Sequence, residues 1–155
     1  MQRKASAVWQ GDLKTGKGAI STDSGVLKQT QYSFSTRFEN GVGTNPEELL
    51  AAAHAACFSM ALANGLEKGG FPPTKVETDA ACTVEKVGEG FKITRMQLTT
   101  RAAAPNIDDA KFQAIAAATK EGCPVSGALK GNVQIDLDAK NRDFQAFGVR
   151  VALSL

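Results

Sequence analysis

The sequence predicts an α+β protein, with antiparallel sheets around a long central helix and a second helix. Three observations predict it. Apolar and polar residues alternate in several short segments, which is the period of a strand with one face in the core. An alanine-rich run from Leu49 onward is apolar or small on nearly every side, the mark of a helix surrounded by protein. The segments follow in the order strands, long helix, strands, helix, strand, without the βαβ alternation of a doubly wound sheet.

The first forty residues place Ala5, Ala7 and Trp9 in one phase, turn at Gly11 and Asp12, and resume around Ala19 and Ile20, which is hairpin texture. In QYSFSTRF, Tyr32, Phe34, Thr36 and Phe38 share one face while Ser33, Ser35 and Arg37 share the other. A strand is expected there, with Arg37 directed away from its aromatic side. Turn residues then lead into NPEELLAAAHAACFSMALANGLEK, closed by Gly69, Gly70, Pro72 and Pro73, so a helix of about twenty residues and roughly 30 Å lies between. Pro46 suits its first position, Asn45 its cap and Glu48 the far end of a capping box, which leaves Glu47 free.

TKVETDAACTVEKV alternates with Val76, Thr78, Ala80, Cys82 and Val84 on one face, and Cys82 reads as a core strand residue. In GFKITRMQLTTRA, Phe91 and Ile93 keep one phase and Met96 and Leu98 the other, which calls for a bulge near Thr94 or Arg95. DDAKFQAIAAATKEG starts acidic and ends in Lys120 and Gly122, the charge order a helix dipole favours. Cys123 and Pro124 follow, VSGALKG adds one or two helical turns, and NVQIDLD is a last strand. Residues 1–140 are read as a single domain and 141–155, with Phe144, Phe147, Val149, Val151 and Leu153, as a C-terminal extension to which no structure is assigned.

Eighteen basic and sixteen acidic residues leave a charge of +2, with no basic run that would track phosphates, so nucleic acid is not expected as a partner. Gln10 and Asp12 interrupt the start before a signal-peptide core can form, and the Leu49–Leu66 stretch, with His54, Ser59 and Asn64, is expected to fall short of a membrane span. The chain is therefore read as cytoplasmic, where cysteines stay reduced unless they act catalytically. Cys57, Cys82 and Cys123 form no CxxC pair and have one histidine to join them, which is not a zinc pattern; no metal or cofactor is expected.

A cysteine reacts as its thiolate, which burial opposes and a cation or helix start favours. Local electrostatics favour Cys123, at the start of a helix, over Cys57 in the middle of one. For Cys57 to react, another part of the fold must bring a cation to it. Arg37, which cannot lose its charge and can hold a carboxylate in its fork, is one candidate; the alternative is a solvated arginine. His54, three residues before Cys57, points to a Cys-His hydrolase or acyl transferase or, more simply, to a hydrogen-bonded core histidine.

GTNPEELLAAAHAACFSMAL, with Arg37 before it and GCPVS at Gly122 to Ser126 after it, resembles the osmotically inducible protein C branch of the OsmC/Ohr family of thiol-dependent peroxidases, over about Ala5 to Asp138. The resemblance implies an intertwined homodimer with its sites at the subunit boundary. It makes Cys57 the peroxidatic cysteine and Cys123 the resolving one, and matches Arg37 and Glu47 to the catalytic arginine and its glutamate. It implies organic hydroperoxides as substrates, hydrogen peroxide less readily, and an external dithiol as reductant, a lipoylated protein in the related branch. Ten residues of straight helix would put Glu47 about 15 Å along the axis from Cys57. A composite site is therefore expected, Arg37 and Glu47 of one chain serving Cys57 of another, with Phe38 and Met60 in the lining. A redox sensor or binding module on the same scaffold is the remaining reading.

Overall fold

The computed structural model describes residues 1–142, so the aromatic and aliphatic positions of the C-terminal extension lie outside the described residues. The chain divides into two compact units, Met1–Leu49 and Leu50 onward. In the first, β1 (Ala5–Gln10), β2 (Lys17–Thr22) and β3 (Thr30–Tyr32) form an antiparallel meander in which Trp9 and Tyr32 lie 5.4 Å apart, centroid to centroid.

The predicted strand through Arg37 ends early. After Tyr32 the chain turns into a short helix, α1 (Phe34–Phe38). Ser33 Oγ accepts from the Thr36 N–H at 3.2 Å and Thr36 Oγ1 accepts from the Ser33 N–H at 2.9 Å, a reciprocal capping box. That local closure outweighs the two-residue alternation of the aromatic residues. On a helix, Phe34 and Phe38 are neighbours at i and i+4, 5.1 Å apart. The Arg37 guanidinium lies over the Phe38 ring, 4.9 Å from its centroid, and so does not point away from the aromatic residues.

Helix α2 (Pro46–Lys68) begins at proline as expected, with Asn45 Oδ1 accepting from the Glu48 N–H at 2.8 Å. Its 23 residues include an 18-residue window of mean hydropathy 1.5, so by length and composition it is long and apolar enough to cross a bilayer, contrary to the sequence reading. The Leu49–Leu66 stretch is itself 18 residues long, and its alanines count as apolar. Phe58, Leu62 and Leu66 are fully buried in the core of the second unit, the part of a core helix. The helix is nevertheless not surrounded within one chain: Ala52, Ala53, Ala56, Met60 and Asn64 form an exposed stripe along it.

In the second unit β4 (Lys75–Val87) and β5 (Gly90–Ala103) make a long antiparallel hairpin, and β6 (Gln134–Asn141) pairs with β5 in parallel, giving a mixed sheet in the order β4-β5-β6. Gly88, first of the two loop residues, has a φ of +62°, as a type II′ turn requires. The register passes from Thr83 opposite Arg95 to Val84 opposite Ile93, so Thr94 is the extra residue of the expected bulge. The crossover from β5 to β6 carries α3 (Asp109–Gly122) and α4 (Pro124–Leu129), with Asp108 capping α3 through the Lys111 N–H at 2.8 Å. Met96, Leu98 and Ala102 of β5 meet Phe112 and Ala116 of α3 and the buried face of α2. A Cβ on Gly65 would come within 3.1 Å of the Ile115 side chain, so α3 approaches α2 closely there.

Candidate active site

The structure gathers the four predicted residues into two pairs. In the first unit, Arg37 and Glu47 form a forked ion pair. The arginine Nε donates to both glutamate oxygens at 2.9 and 3.2 Å and its terminal nitrogen to Oε1 at 2.8 Å. Glu47, in the first turn of α2, is almost wholly buried while Arg37 stays exposed, and Glu48 joins the cap through its backbone N–H. The carboxylate thus fixes the plane of a guanidinium whose outer side is open.

In the second unit, Cys57 of α2 and Cys123 at the α3–α4 junction meet with their sulfurs 3.3 Å apart. Cys123 closes α3 through its N–H, which donates to Thr119 at 2.8 Å, and Pro124 then starts α4. A disulfide needs about 2.05 Å, so a small approach of the two helices would close it. Cys82, by contrast, lies on β4 opposite Met96, half-buried against the core.

The two thiols differ in accessibility and acidity. Cys123 is only 1% exposed, whereas Cys57 is half-buried. Burial pushes the Cys57 thiol up, and the neighbouring Cys123 adds to it, against a lowering from the Val125 N–H. Burial opposes ionisation of Cys123 too, but the Ser126 N–H, the Cys57 thiol, the Ser126 hydroxyl and the Val125 N–H together outweigh it, and its pKa falls below the usual thiol value. The neutral thiol, a weak acceptor, closes no capping hydrogen bond with its helix, whereas a thiolate would take those N–H groups. Their surroundings therefore favour ionisation at Cys123 and oppose it at Cys57. That agrees with the local electrostatic argument from the sequence and leaves ionisation of Cys57 to a cation.

His54 is fully buried, and its Nε2 lies 2.8 Å from Ser126 Oγ; Nδ1 has no hydrogen-bond partner among the described residues. Neither ring nitrogen therefore hydrogen-bonds Cys57, as a Cys-His hydrolase would require. Burial lowers the His54 pKa, so the ring is neutral at neutral pH. Ser126 is the residue that sequence reasoning missed. Its signal was the repeated spacing of three: His54 to Cys57, then Cys123 to Ser126.

An α+β unit holding two facing thiols on adjoining helices, one accessible and one not, defines a dithiol redox protein. Residues 38–138 match the family described as OsmC-like protein, and the chain belongs to that family. It is 50% identical over 141 residues to the peroxiredoxin OsmC of Escherichia coli (strain K12), covering 91% of this chain and 99% of that protein. It is 33% identical over 124 residues to the organic hydroperoxide resistance protein OhrB of Bacillus subtilis (strain 168), covering 79% and 89%. The crystal structure of OhrB superposes with a TM-score of 0.69 at 30% identity, over 88% of this chain and 98% of that one.

Proposed function

We propose that this protein is a cysteine-based peroxidase that reduces organic hydroperoxides, and hydrogen peroxide less well, in defence against oxidative and osmotic stress. The sulfur pair, 3.3 Å apart and unequally exposed, is the observation that carries the reading. The Cys57 thiolate attacks one peroxide oxygen, the O–O bond breaks, and the alkoxide leaves as alcohol on taking a proton. Cys57 is left as sulfenic acid. The Cys123 thiolate then attacks the Cys57 sulfur, the S–S bond forms, and hydroxide departs and is protonated to water. An external dithiol, such as a lipoylated protein in the cytoplasm, reduces the disulfide. No cofactor takes part.

Access favours Cys57 as the first nucleophile, and Arg37 supplies the cation it lacks. Glu47 orients that guanidinium while moderating its pull. Arg37 and Glu47 of one chain serve Cys57 of a second copy, with Phe38 and Met60 in the lining. The exposed stripe of small and apolar residues along α2, where Met60 is 77% exposed, supports a homodimer.

The test is to treat reduced protein with one equivalent of cumene hydroperoxide or hydrogen peroxide, map the disulfide, and add dihydrolipoamide or thioredoxin. A Cys57–Cys123 bridge formed faster by the organic oxidant is expected; a bridge through Cys82 overturns the pairing. Subunit exchange between Cys57→Ser and Arg37→Ala dimers restores activity if the sites are composite, and restores none if each chain supplies its own.

A further inference from the structure

Helices α2 and α4 face each other across two rungs. One turn apart on α2 stand His54 and Cys57; Cys123, capping α4, and Ser126 in its first turn repeat that spacing. One rung joins the sulfurs at 3.3 Å, the other His54 Nε2 and Ser126 Oγ at 2.8 Å. His54 is 0% exposed and Ser126 3%, so the second rung is dry.

A histidine kept only for packing would normally satisfy both ring nitrogens or be replaced by an apolar side chain. His54 satisfies one. A buried N–H without an acceptor is rarer than a buried acceptor without a donor, so the unpartnered Nδ1 is the bare nitrogen and Nε2 carries the proton. Nε2–H then donates to Ser126 Oγ, and the serine must turn its own proton elsewhere. Ser126 stands three residues after Cys123, one turn on and on the same side of α4, so its hydroxyl can turn toward that sulfur.

We propose that His54 and Ser126 are positioning residues for Cys123: a one-way chain of donors, from His54 Nε2–H to Ser126 Oγ–H to the Cys123 sulfur, keeps that sulfur ionised and aimed at Cys57. The proposal rests on the peroxidase reading and adds the regulation of its second step. With the attacking sulfur already a thiolate, disulfide closure needs no general base, and the imidazole stays neutral throughout. The titratable groups facing Cys123 from α2 are Cys57 and His54. Lys120 and Glu121 of α3 and Lys130 beyond α4 line a cleft of about 160 Å³ that Ser126 also borders. Glu121 lies 2.9 Å from the Lys130 ammonium and 4.0 Å from that of Lys120, which leaves the cleft one net positive charge, of the sign that also favours a thiolate.

The test follows the pH dependence of Cys123 alkylation by iodoacetamide, read on its own peptide, in protein carrying Cys57→Ser. Ser126→Ala is expected to raise the midpoint by about one pH unit, an approximately ten-fold loss of thiolate near neutral pH. His54→Leu is expected to match it, while His54→Gln, which keeps an N–H donor, and Ser126→Thr restore most of the shift. With Cys57 present, closure after one equivalent of cumene hydroperoxide should slow about ten-fold near pH 7 and recover near pH 9. An unchanged midpoint in folded Ser126→Ala protein, or a closure defect equal at both pH values, overturns the proposal. The alkylation midpoint involves no hydroperoxide, so it decides the donor chain even if the peroxidase reading fails. Ser126→Ala carries the decision should His54→Leu not fold.

Discussion

Arg37 and Glu47 stand ten residues apart in the sequence, Cys57 and Cys123 sixty-six, and the two pairs are built by different means. The ion pair follows from neighbouring caps: Ser33 and Thr36 start α1, Asn45 and Pro46 start α2, and the charges at 37 and 47 are brought into reach by the short link. The sulfur pair depends on the second unit's core, where Phe58, Leu62, Phe112 and Ala116 hold α2 and α3 together. Local pairs of this kind depend on helix ends, and distant pairs on packing. Perturbations of the two should therefore separate.

The largest effect is expected at the sulfurs, where the comparison also splits within the pair. Cys57→Ser should reduce hydroperoxide consumption to the uncatalysed rate. Cys123→Ser should permit a single turnover and leave a sulfenic acid on Cys57 that dimedone traps and mass spectrometry locates. The more acidic thiol is the more buried one, so access and ionisation favour different residues. Dimedone adducts on Cys123 in the Cys57→Ser protein would mean that ionisation decides the order of attack, and the assignment of first nucleophile would reverse.

Much of this was legible in the sequence, and the failures have physical causes. Proline at 46, asparagine before it and the glycines after Lys68 mark α2, and the phase change between Ile93 and Met96 marks the bulge at Thr94. Those are local signals with one interpretation each. The Arg37 segment carried two: an alternation that reads as strand and a Ser-x-x-Thr box that reads as helix start, and the box prevailed because its two hydrogen bonds form without any distant partner. The meeting of Cys57 with Cys123, and of His54 with Ser126, had no local signal beyond matched spacing. Only the β5–β6 crossover brings those helices together.

A smaller effect should appear in the pH dependence of stability, again confined to the distant pair's side of the comparison. Burial holds the His54 pKa below its usual 6.5, so between that value and its folded pKa the unfolded chain binds a proton that the native protein refuses. The stability linked to this group is complete above 6.5 and is lost as pH falls through the window below it. Glu77 and Glu121, whose pKas are also held down, lose their contributions only below about 4.5 and do not overlap its upper part. The urea midpoint should decline from pH 7 toward pH 5 in the natural protein and stay nearly level in His54→Gln. An equal slope in both would place the titration elsewhere.

The smallest effect tests the local pair. Ser33→Ala removes the acceptor for the Thr36 N–H and should cost about 1 kcal/mol, the usual worth of a helix cap. The loss is limited because Thr36 Oγ1 still donates to the Thr44 carbonyl at 2.8 Å, and Arg37 stays forked onto Glu47. Activity should fall no more than a few-fold, and disulfide closure, set in the other unit, should keep its rate. Were the segment a strand with Ser33 on its polar face, the same substitution would be close to neutral. Chemical denaturation of Ser33→Ala beside Ser35→Ala separates the two cases: a cap makes only the first costly, whereas a strand makes the pair alike.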